Sequence, residues 1–142
     1  MNEYNVGDLI SDFLFENDLK TVVGVVSVHN IPIWDAIAKR NLIKFVPARG
    51  EMGAGHMADG FARSSDKVGV VITSTGPGAA NVVGSLVEAR FAGTPLLHIT
   101  GQTATENLDK NQGTVHDVPN QLEMMKSVSK NAYRISSAKK VI

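Results

Sequence analysis

Four short apolar runs, separated by stretches with helical character, constrain the fold of this chain more than any other feature. The apolar runs cover residues 21–28, 42–46, 68–73 and 94–100. Helical patterns cover residues 6–19, 31–39, 51–63 and 79–91. Continuous apolar runs are typical of strands that are buried on both faces of a parallel sheet. The alternation therefore predicts an α/β fold with three layers, α/β/α, around a mostly parallel central sheet.

The last forty residues have a weaker pattern. Residues 101–113 are polar and loop-like, 118–125 favour a helix, and 127–135 favour an extended segment. Ser136 and Ser137 then precede what resembles the first turn of a further helix, beginning at Ala138. We therefore expect residues 1–142 to be one partial domain, truncated from a larger protein.

Composition excludes several classes of protein. The 142 residues carry 14 basic and 14 acidic side chains, so neither nucleic acid nor an anionic membrane is an expected partner. There are no cysteines, which excludes disulfides and thiol nucleophiles. The N-terminus is polar, unlike a signal peptide, and no apolar run is long enough to span a bilayer. A cytoplasmic enzyme, or a fragment of one, is the default expectation.

In parallel sheets, ligands bind beyond the carboxyl ends of the strands, and one acidic residue lies at such a position. Glu51 follows the second apolar run and begins a helix rich in small residues. A carboxyl group held there, away from bulk water, could share a proton with a bound heterocycle. The alternative is an acid that only stabilises the helix N-terminus, which is worth roughly 0.3–1 kcal/mol.

The sequence Gly76-Pro77-Gly78 leads from the third strand into a helix. Its backbone could bind an anion, or it could be only a tight turn, and no lysine follows at the spacing of a nucleotide-binding loop. Gly53, Gly55 and Gly60 do not form a dinucleotide-binding pattern and instead favour the close approach of another helix or subunit.

The four histidines lack the spacing of a metal site, and none is expected. His29 and His116 fall in loops that follow predicted strands, where each is either a surface residue or part of a site. His98 lies within a predicted strand and is expected to be structural, while His56 stays ambiguous.

Residues 49–63, R-G-E-M-G-A-G-H-M-A-D-G-F-A-R, closely resemble the segment R-H-E-x-x-A-x-H-M-A-D-G-Y-A-R of thiamine diphosphate enzymes of the acetolactate synthase type. The resemblance continues through 67–70 (K-V-G-V), 73–81 (T-S-T-G-P-G-A-A-N) and 95–102 (P-L-L-H-I-T-G-Q). It covers nearly the whole chain, in the same order, and identifies the N-terminal pyrimidine-binding domain without its final helix and strand.

This resemblance implies that Glu51 hydrogen-bonds N1′ of the cofactor's aminopyrimidine ring and thereby activates the cofactor, which acts as an electron sink. It also implies that a group of residues around the turn binds the cofactor: Thr75, Gly76, Pro77, Gly78 and Asn81. The family holds the diphosphate through Mg²⁺ at a Gly-Asp-Gly segment, and no such segment occurs here. We therefore expect a second subunit, in a homodimer or homotetramer, to supply that domain, and the isolated chain to be inactive; FAD stays undetermined.

Three departures from the family pattern concern the substrate. Val26-Ser27-Val28, followed by His29, replaces the common Pro-Gly-Gly; Gly50 replaces a histidine; and His116-Asp117 replaces Gln-Glu. Benzaldehyde lyase, an enzyme that this chain resembles, also carries a histidine at what looks like the position of His29, near the substrate. His29 and His116 are therefore candidate catalytic residues, and acetolactate formation itself is in doubt.

The function expected from the resemblance is that of a carboligase, lyase or decarboxylase acting on a 2-oxo acid, an aldehyde or a 2-hydroxyketone. Two alternatives stay open. The chain could be the stand-alone pyrimidine-binding subunit of a two-chain 2-oxo acid decarboxylase, or a non-catalytic assembly module that keeps the fold.

Overall fold

The computed structural model describes residues 4–141, which form a four-stranded sheet. The strands are β1 (Thr21–Gly24), β2 (Lys44–Pro47), β3 (Gly69–Thr73) and β4 (Leu96–Thr100). They lie in the order β2-β1-β3-β4, and every pairing among them is parallel. These pairings confirm the predicted parallel sheet. Its two central strands, β1 and β3, are buried, whereas the edge strands β2 and β4 are partly exposed.

Six α-helices surround the sheet. They are α1 (Val6–Glu16), α2 (Ile31–Arg40), α3 (Glu51–Ser65), α4 (Pro77–Asn81), α5 (Val83–Ala92) and α6 (Gln121–Val128). Two 3₁₀ turns, Thr105–Asn107 and Ala138–Lys140, complete the described secondary structure. None of these helices has the length and apolar character that crossing a membrane requires.

The core is divided by the sheet into two clusters. On one face, Leu14 of α1 and Trp34 of α2 pack with Val22 and Ile72 of the strands. On the other face, α3, α5 and α6 pack against the alternate strand residues, through side chains such as Leu86. The three-layer α/β/α architecture is therefore confirmed.

Three local predictions differ from the structure. The helix predicted over 79–91 begins at Pro77 and is interrupted at Val82, which divides it into α4 and α5. The helix predicted to begin at Val118 begins at Gln121, because Asn120 has the left-handed φ of 60° that interrupts a right-handed helix. The extended segment predicted over 127–135 overlaps the end of α6, which includes residues 127 and 128, and residues 131–136 pair with no strand of the described chain.

The carboxyl ends of β1 and β3 form a crevice, because the chain leaves these neighbouring strands toward opposite faces of the sheet. Asn30 is fully buried there and joins the two ends. Its Nδ2 donates to the carbonyl oxygens of Val25 and Thr73, and its Oδ1 accepts from the backbone N–H of Ser27. The predicted loops 26–30 and 74–78 are therefore held side by side.

Candidate active site

Glu51 is the first residue of α3, at the position that the sequence predicts. The preceding Gly50 is extended, with φ −167° and ψ 156°, so the helix begins abruptly and places the carboxyl group in its first turn. The helix dipole favours an acid at this end. The residue is only partly buried in this chain, so the expectation that its carboxyl lies away from bulk water is wrong for the chain alone. Among the described residues, the turn after β3 covers this first turn of α3 only in part.

The carboxyl group of Glu51 lies against the turn that follows β3. A Cβ placed on Gly78 would stand 2.8 Å from Glu51 Oε1 and 2.7 Å from Ser74 Cβ. Asn81 Nδ2 donates to Glu51 Oε2 at 3.4 Å. Within residues 4–141, Asn81 is the only side chain that hydrogen-bonds this carboxyl, so Oε1 keeps its acceptor capacity.

The Gly76-Pro77-Gly78 segment is a tight turn whose N–H groups are already used. Gly76 N–H donates to Gln121 Oε1 at 2.7 Å, Gly78 N–H to Thr75 O at 3.1 Å, and Ala80 N–H to Gly76 O at 2.9 Å. An anion would have to displace these bonds. The sequence left two interpretations of this segment open, an anion-binding site and a tight turn. The structure favours the tight turn.

The cofactor-binding residues predicted in this segment separate into two groups. Thr75 is fully buried, and its hydroxyl donates to Gln121 Oε1 at 3.0 Å, so its side chain lies behind the crevice. Gly76 is buried as well. Gly78 is also buried, and it contacts Glu51. Pro77 and Asn81 are exposed and are the members of this set that a ligand can reach.

The two candidate histidines lie beside each other. The ring centroids of His29 and His116 are 5.2 Å apart, although the residues belong to loops that follow different strands. The loop of His116 is held against the turn, because the position of a Cβ on Gly76 (φ +56°) is occupied by the carbonyl of His116. His29 packs similarly on Gly101, where a Cβ would lie 3.0 Å from His29 Cβ.

His29 has an unusual electrostatic environment. Burial lowers its pKa below 6.5, and the neighbouring imidazole of His116 lowers it further. Its Nδ1 atom is buried and has no hydrogen-bond partner among the residues described. His29 is therefore mainly neutral near pH 7, and its Nδ1 is enclosed without a partner among the described residues.

The turn separates two sites of contact. Gly78 meets Glu51 on one side, and Gly76 meets the loop of His116 on the other. Gly76 and Gly78 are two positions apart along the chain and so at most about 7 Å apart, which places the backbone of the His116 loop and the carboxyl of Glu51 against neighbouring parts of one turn.

His98 is structural, as the sequence predicts. Its Nε2 lies 2.8 Å from Thr73 Oγ1, a hydrogen bond between neighbouring strands. Although the residue as a whole is partly exposed, desolvation of the ring lowers the pKa of His98 to about 4. His56 is exposed on α3 and carries no hydrogen bond to the crevice among the described residues.

Gln121 is the residue that the sequence did not single out. Its side chain is 5% exposed and touches the ends of two strands. The helical pattern over 118–125 gave no reason to distinguish it from the polar residues beside it. The only signal was its place directly after Pro119 and Asn120, where a helix begins.

The glycines of α3 have different surroundings. A Cβ on Gly55 would collide with Ser85 Oγ and stand 2.9 Å from Val82 Cγ2, so this glycine permits the close approach of α5. Nothing described lies within 4 Å of a Cβ on Gly53 or Gly60. Close approach of another helix is therefore confirmed at Gly55 and stays a prediction at the other two.

Comparison with known proteins identifies the family. The family model "Thiamine pyrophosphate enzyme, N-terminal TPP binding domain" matches residues 4–124. The chain belongs to this thiamine diphosphate enzyme family. It is the pyrimidine-binding domain of an acetolactate synthase-like thiamine diphosphate enzyme, as the resemblance of residues 49–63 predicted.

Relatives of this domain include two acetolactate synthases. The mitochondrial catalytic subunit of Saccharomyces cerevisiae is 39% identical over 99 residues, which is 70% of this chain and 14% of that protein. The isozyme 1 large subunit of Escherichia coli is 38% identical over 95 residues, which is 67% of this chain and 17% of that protein. The probable 2-ketoarginine decarboxylase AruI of Pseudomonas aeruginosa is 35% identical over 118 residues, which is 83% of this chain and 21% of that protein. The chain thus spans between about a seventh and a fifth of these relatives.

The residues present fit the pyrimidine ring of the family's cofactor. Glu51 is partly exposed, and its Oε1 accepts no hydrogen bond from the described residues. A heterocycle with a protonated ring nitrogen needs such an acceptor. Within the described part of the chain, no group of three or more histidine or acidic side chains could hold a metal ion.

Proposed function

We propose that this pyrimidine-binding domain serves a thiamine diphosphate-dependent carboligase or lyase that acts on a 2-oxo acid or a 2-hydroxyketone. The observation that carries the proposal is the position of Glu51. Its carboxyl group is fixed against Gly78 by the turn and against Asn81 by a hydrogen bond, and one oxygen is left open.

Glu51 holds a proton at the cofactor's ring nitrogen N1′. In this role Oε1 faces the ring, while Asn81 keeps Oε2 in place at 3.4 Å. Bound thiamine diphosphate supplies a thiazolium ring that accepts electrons as bonds to a substrate's carbonyl carbon form and break. The contribution of Glu51 is to set the protonation of the aminopyrimidine.

A second subunit completes the site. Glu51 is partly exposed in this chain, and exclusion of water would strengthen its hydrogen bond to the ring. We propose a homodimer or homotetramer in which another domain covers Glu51 and holds the diphosphate through Mg²⁺. The 142-residue chain alone is then inactive. Calorimetry in which this chain alone binds thiamine diphosphate tightly, in a magnesium-dependent manner, would refute that part of the proposal.

His29 and His116 face the substrate. Neutral His29 has a buried Nδ1, so the Nε2 side of its ring is the one that can form a hydrogen bond with a substrate's carbonyl or hydroxyl oxygen. The exposed side chain of His116, 5.2 Å from it between ring centroids, can carry the opposite role. Two adjacent imidazoles, one donating and one accepting a hydrogen bond, suit a substrate oxygen that gains or loses a proton during the reaction.

A decarboxylase is the second candidate function. The match to the probable 2-ketoarginine decarboxylase covers more of the chain, 83%, than the matches to the acetolactate synthases described above. Substitution of the usual first-loop and Gln-Glu residues by His29 and His116 also favours a reaction other than acetolactate formation.

Product analysis of the complete protein with thiamine diphosphate and Mg²⁺ distinguishes these functions. Pyruvate and a panel of 2-oxo acids, aldehydes and 2-hydroxyketones are supplied as substrates. Release of CO₂ and an aldehyde alone indicates a decarboxylase, and a new carbon–carbon bond indicates a carboligase. Robust acetolactate formation would refute the inference drawn from the two histidines. No cofactor-dependent turnover of any substrate would favour the non-catalytic module, and activity only with a separate second chain would favour the two-chain decarboxylase.

A further inference from the structure

One glutamine side chain joins the ends of two strands at the crevice. Gln121 Oε1 accepts from Gly76 N–H at 2.7 Å and from the Thr75 hydroxyl at 3.0 Å, and Nε2 donates to Gly101 O at 3.0 Å. A backbone N–H can only donate and a carbonyl can only accept, so this amide has a single possible orientation. Gln121 is 5% exposed, so these three hydrogen bonds lie in a nearly water-free site.

The backbone that Gln121 holds is also the backbone that Glu51 contacts. Gly76 lies under the carbonyl of His116, and Gly78, two residues later, lies against Glu51 Oε1. A movement of the turn of a few tenths of an ångström therefore changes both contacts. Thr75 and Gly76 are uncharged, and their side chains are too small to fix the turn by packing alone. The position of the turn therefore depends on the hydrogen bonds that it makes.

We propose that Gln121 is a positioning residue that fixes the Thr75–Gly78 turn relative to Glu51 and to the His116 loop. It does not touch the cofactor; it acts through the turn, and this inference rests on the proposed role of Glu51. Loss of the amide leaves Gly76 N–H buried without an acceptor, which is unfavourable, so the turn shifts to find one.

The test compares three variants of the complete protein. Gln121→Met keeps the length and volume of the side chain and removes all three hydrogen bonds. Gln121→Glu keeps an acceptor for Gly76 N–H, loses the donor to Gly101 O and adds an ionisable group in a nearly water-free site. Gln112→Met is the matched control, since Gln112 is exposed in the loop that precedes His116.

The first readout uses cofactor-free protein. Hydrogen–deuterium exchange, followed by mass spectrometry on peptides across 70–82, reports the protection of Gly76 N–H. We expect exchange at the turn to rise about tenfold or more in Gln121→Met, less in Gln121→Glu and not at all in Gln112→Met, with β3 itself unchanged. Unchanged protection of the turn in Gln121→Met would overturn the proposal, and so would equal acceleration throughout β3 and the turn, which indicates a general loss of stability.

The second readout is the dissociation constant of thiamine diphosphate with Mg²⁺, together with hydrogen exchange at C2 of the bound cofactor. A positioning role predicts that C2 exchange per bound cofactor falls about tenfold in Gln121→Met and is partly restored in Gln121→Glu. A purely structural role predicts a smaller folded fraction with normal exchange in the folded protein. The same measurement on Glu51→Gln separates the two proposals. Slow C2 exchange in Glu51→Gln together with normal C2 exchange in Gln121→Met overturns only the positioning role of Gln121. Normal C2 exchange in Glu51→Gln overturns the proposed function.

Discussion

Glu51 Oε1 lies so close to Gly78 that a methyl group on this glycine would stand 2.8 Å from the oxygen. A carboxylate on one helix and a glycine at the start of another therefore fix each other's positions. The contact explains why the turn after β3 needs a glycine here, although the backbone at Gly78 has no left-handed conformation.

Gly78→Ala should displace Glu51 and destabilise the turn. The new Cβ would also stand 2.7 Å from Ser74 Cβ, and that atom cannot move without its backbone. Overpacking of this kind costs roughly 1–3 kcal/mol, so we expect urea unfolding to give a loss of about 1–2 kcal/mol. Gly60→Ala on α3 has open space at its Cβ, and we expect it to be neutral or to add up to about 1 kcal/mol. Equal stability of the two variants would contradict the contact.

Gly55→Ala should weaken the packing of α3 on α5. The added methyl would collide with Ser85 Oγ and approach Val82 Cγ2 to 2.9 Å. We expect a loss of about 2–3 kcal/mol in the free energy of unfolding. Ser85→Gly removes the colliding atoms, so the double variant should recover about 1 kcal/mol or more relative to the sum of the two single changes. Additive effects in this double-mutant cycle would argue that the two residues are not in contact.

The positions of the candidate residues were predictable where a residue's place along the chain decides its place in the fold, while their roles stay predictions. Glu51, His29 and the 74–78 turn follow strand ends, and all parallel strands of one sheet end at the same edge. The solvent exposure of Glu51 was not predictable, because it depends on what packs above the helix. Gln121 was missed because periodicity does not reveal which polar side chain of a helix turns inward to satisfy buried backbone groups.

His116→Gln should raise the pKa of His29. The imidazole of His116 lowers this pKa by repulsion between the two rings, and burial is the larger cause. NMR titration of the His29 ring should therefore show an increase that still leaves the pKa below 6.5. His56→Gln, on the exposed face of α3, should leave the titration unchanged. An unchanged or lower pKa in His116→Gln would show that the two rings do not interact.

Acid should destabilise the domain partly through His98. Its pKa is about 4 in the folded chain and about 6.5 in the unfolded chain, so the unfolded state binds a proton first as the pH falls. The stabilising contribution is complete above about pH 6.5 and is lost between about pH 6.5 and 4. Because the residue is partly exposed, we expect a loss of about 1–2 kcal/mol rather than the roughly 3 kcal/mol that the full shift implies.

His98→Gln provides the comparison for this pH dependence. The amide can still bond Thr73 Oγ1 and does not titrate. Unfolding free energies of both proteins, measured at about pH 7.5 and about pH 4.5, should show a smaller acid-induced loss in the variant. Parallel losses in the two proteins would place the acid sensitivity elsewhere.

The rate of hydrogen exchange at C2 of thiamine diphosphate bound to the complete protein tests the role of Glu51 most directly. Glu51→Gln keeps the size of the side chain and its bond to Asn81 while removing the proton-sharing carboxyl. The exchange rate per bound cofactor should fall by about 100-fold or more, the scale of a lost acid–base group, whereas Glu106→Gln in the exposed 3₁₀ turn should leave it unchanged. A Glu51→Gln rate within about twofold of the unmodified protein, with the cofactor bound, would contradict the assignment.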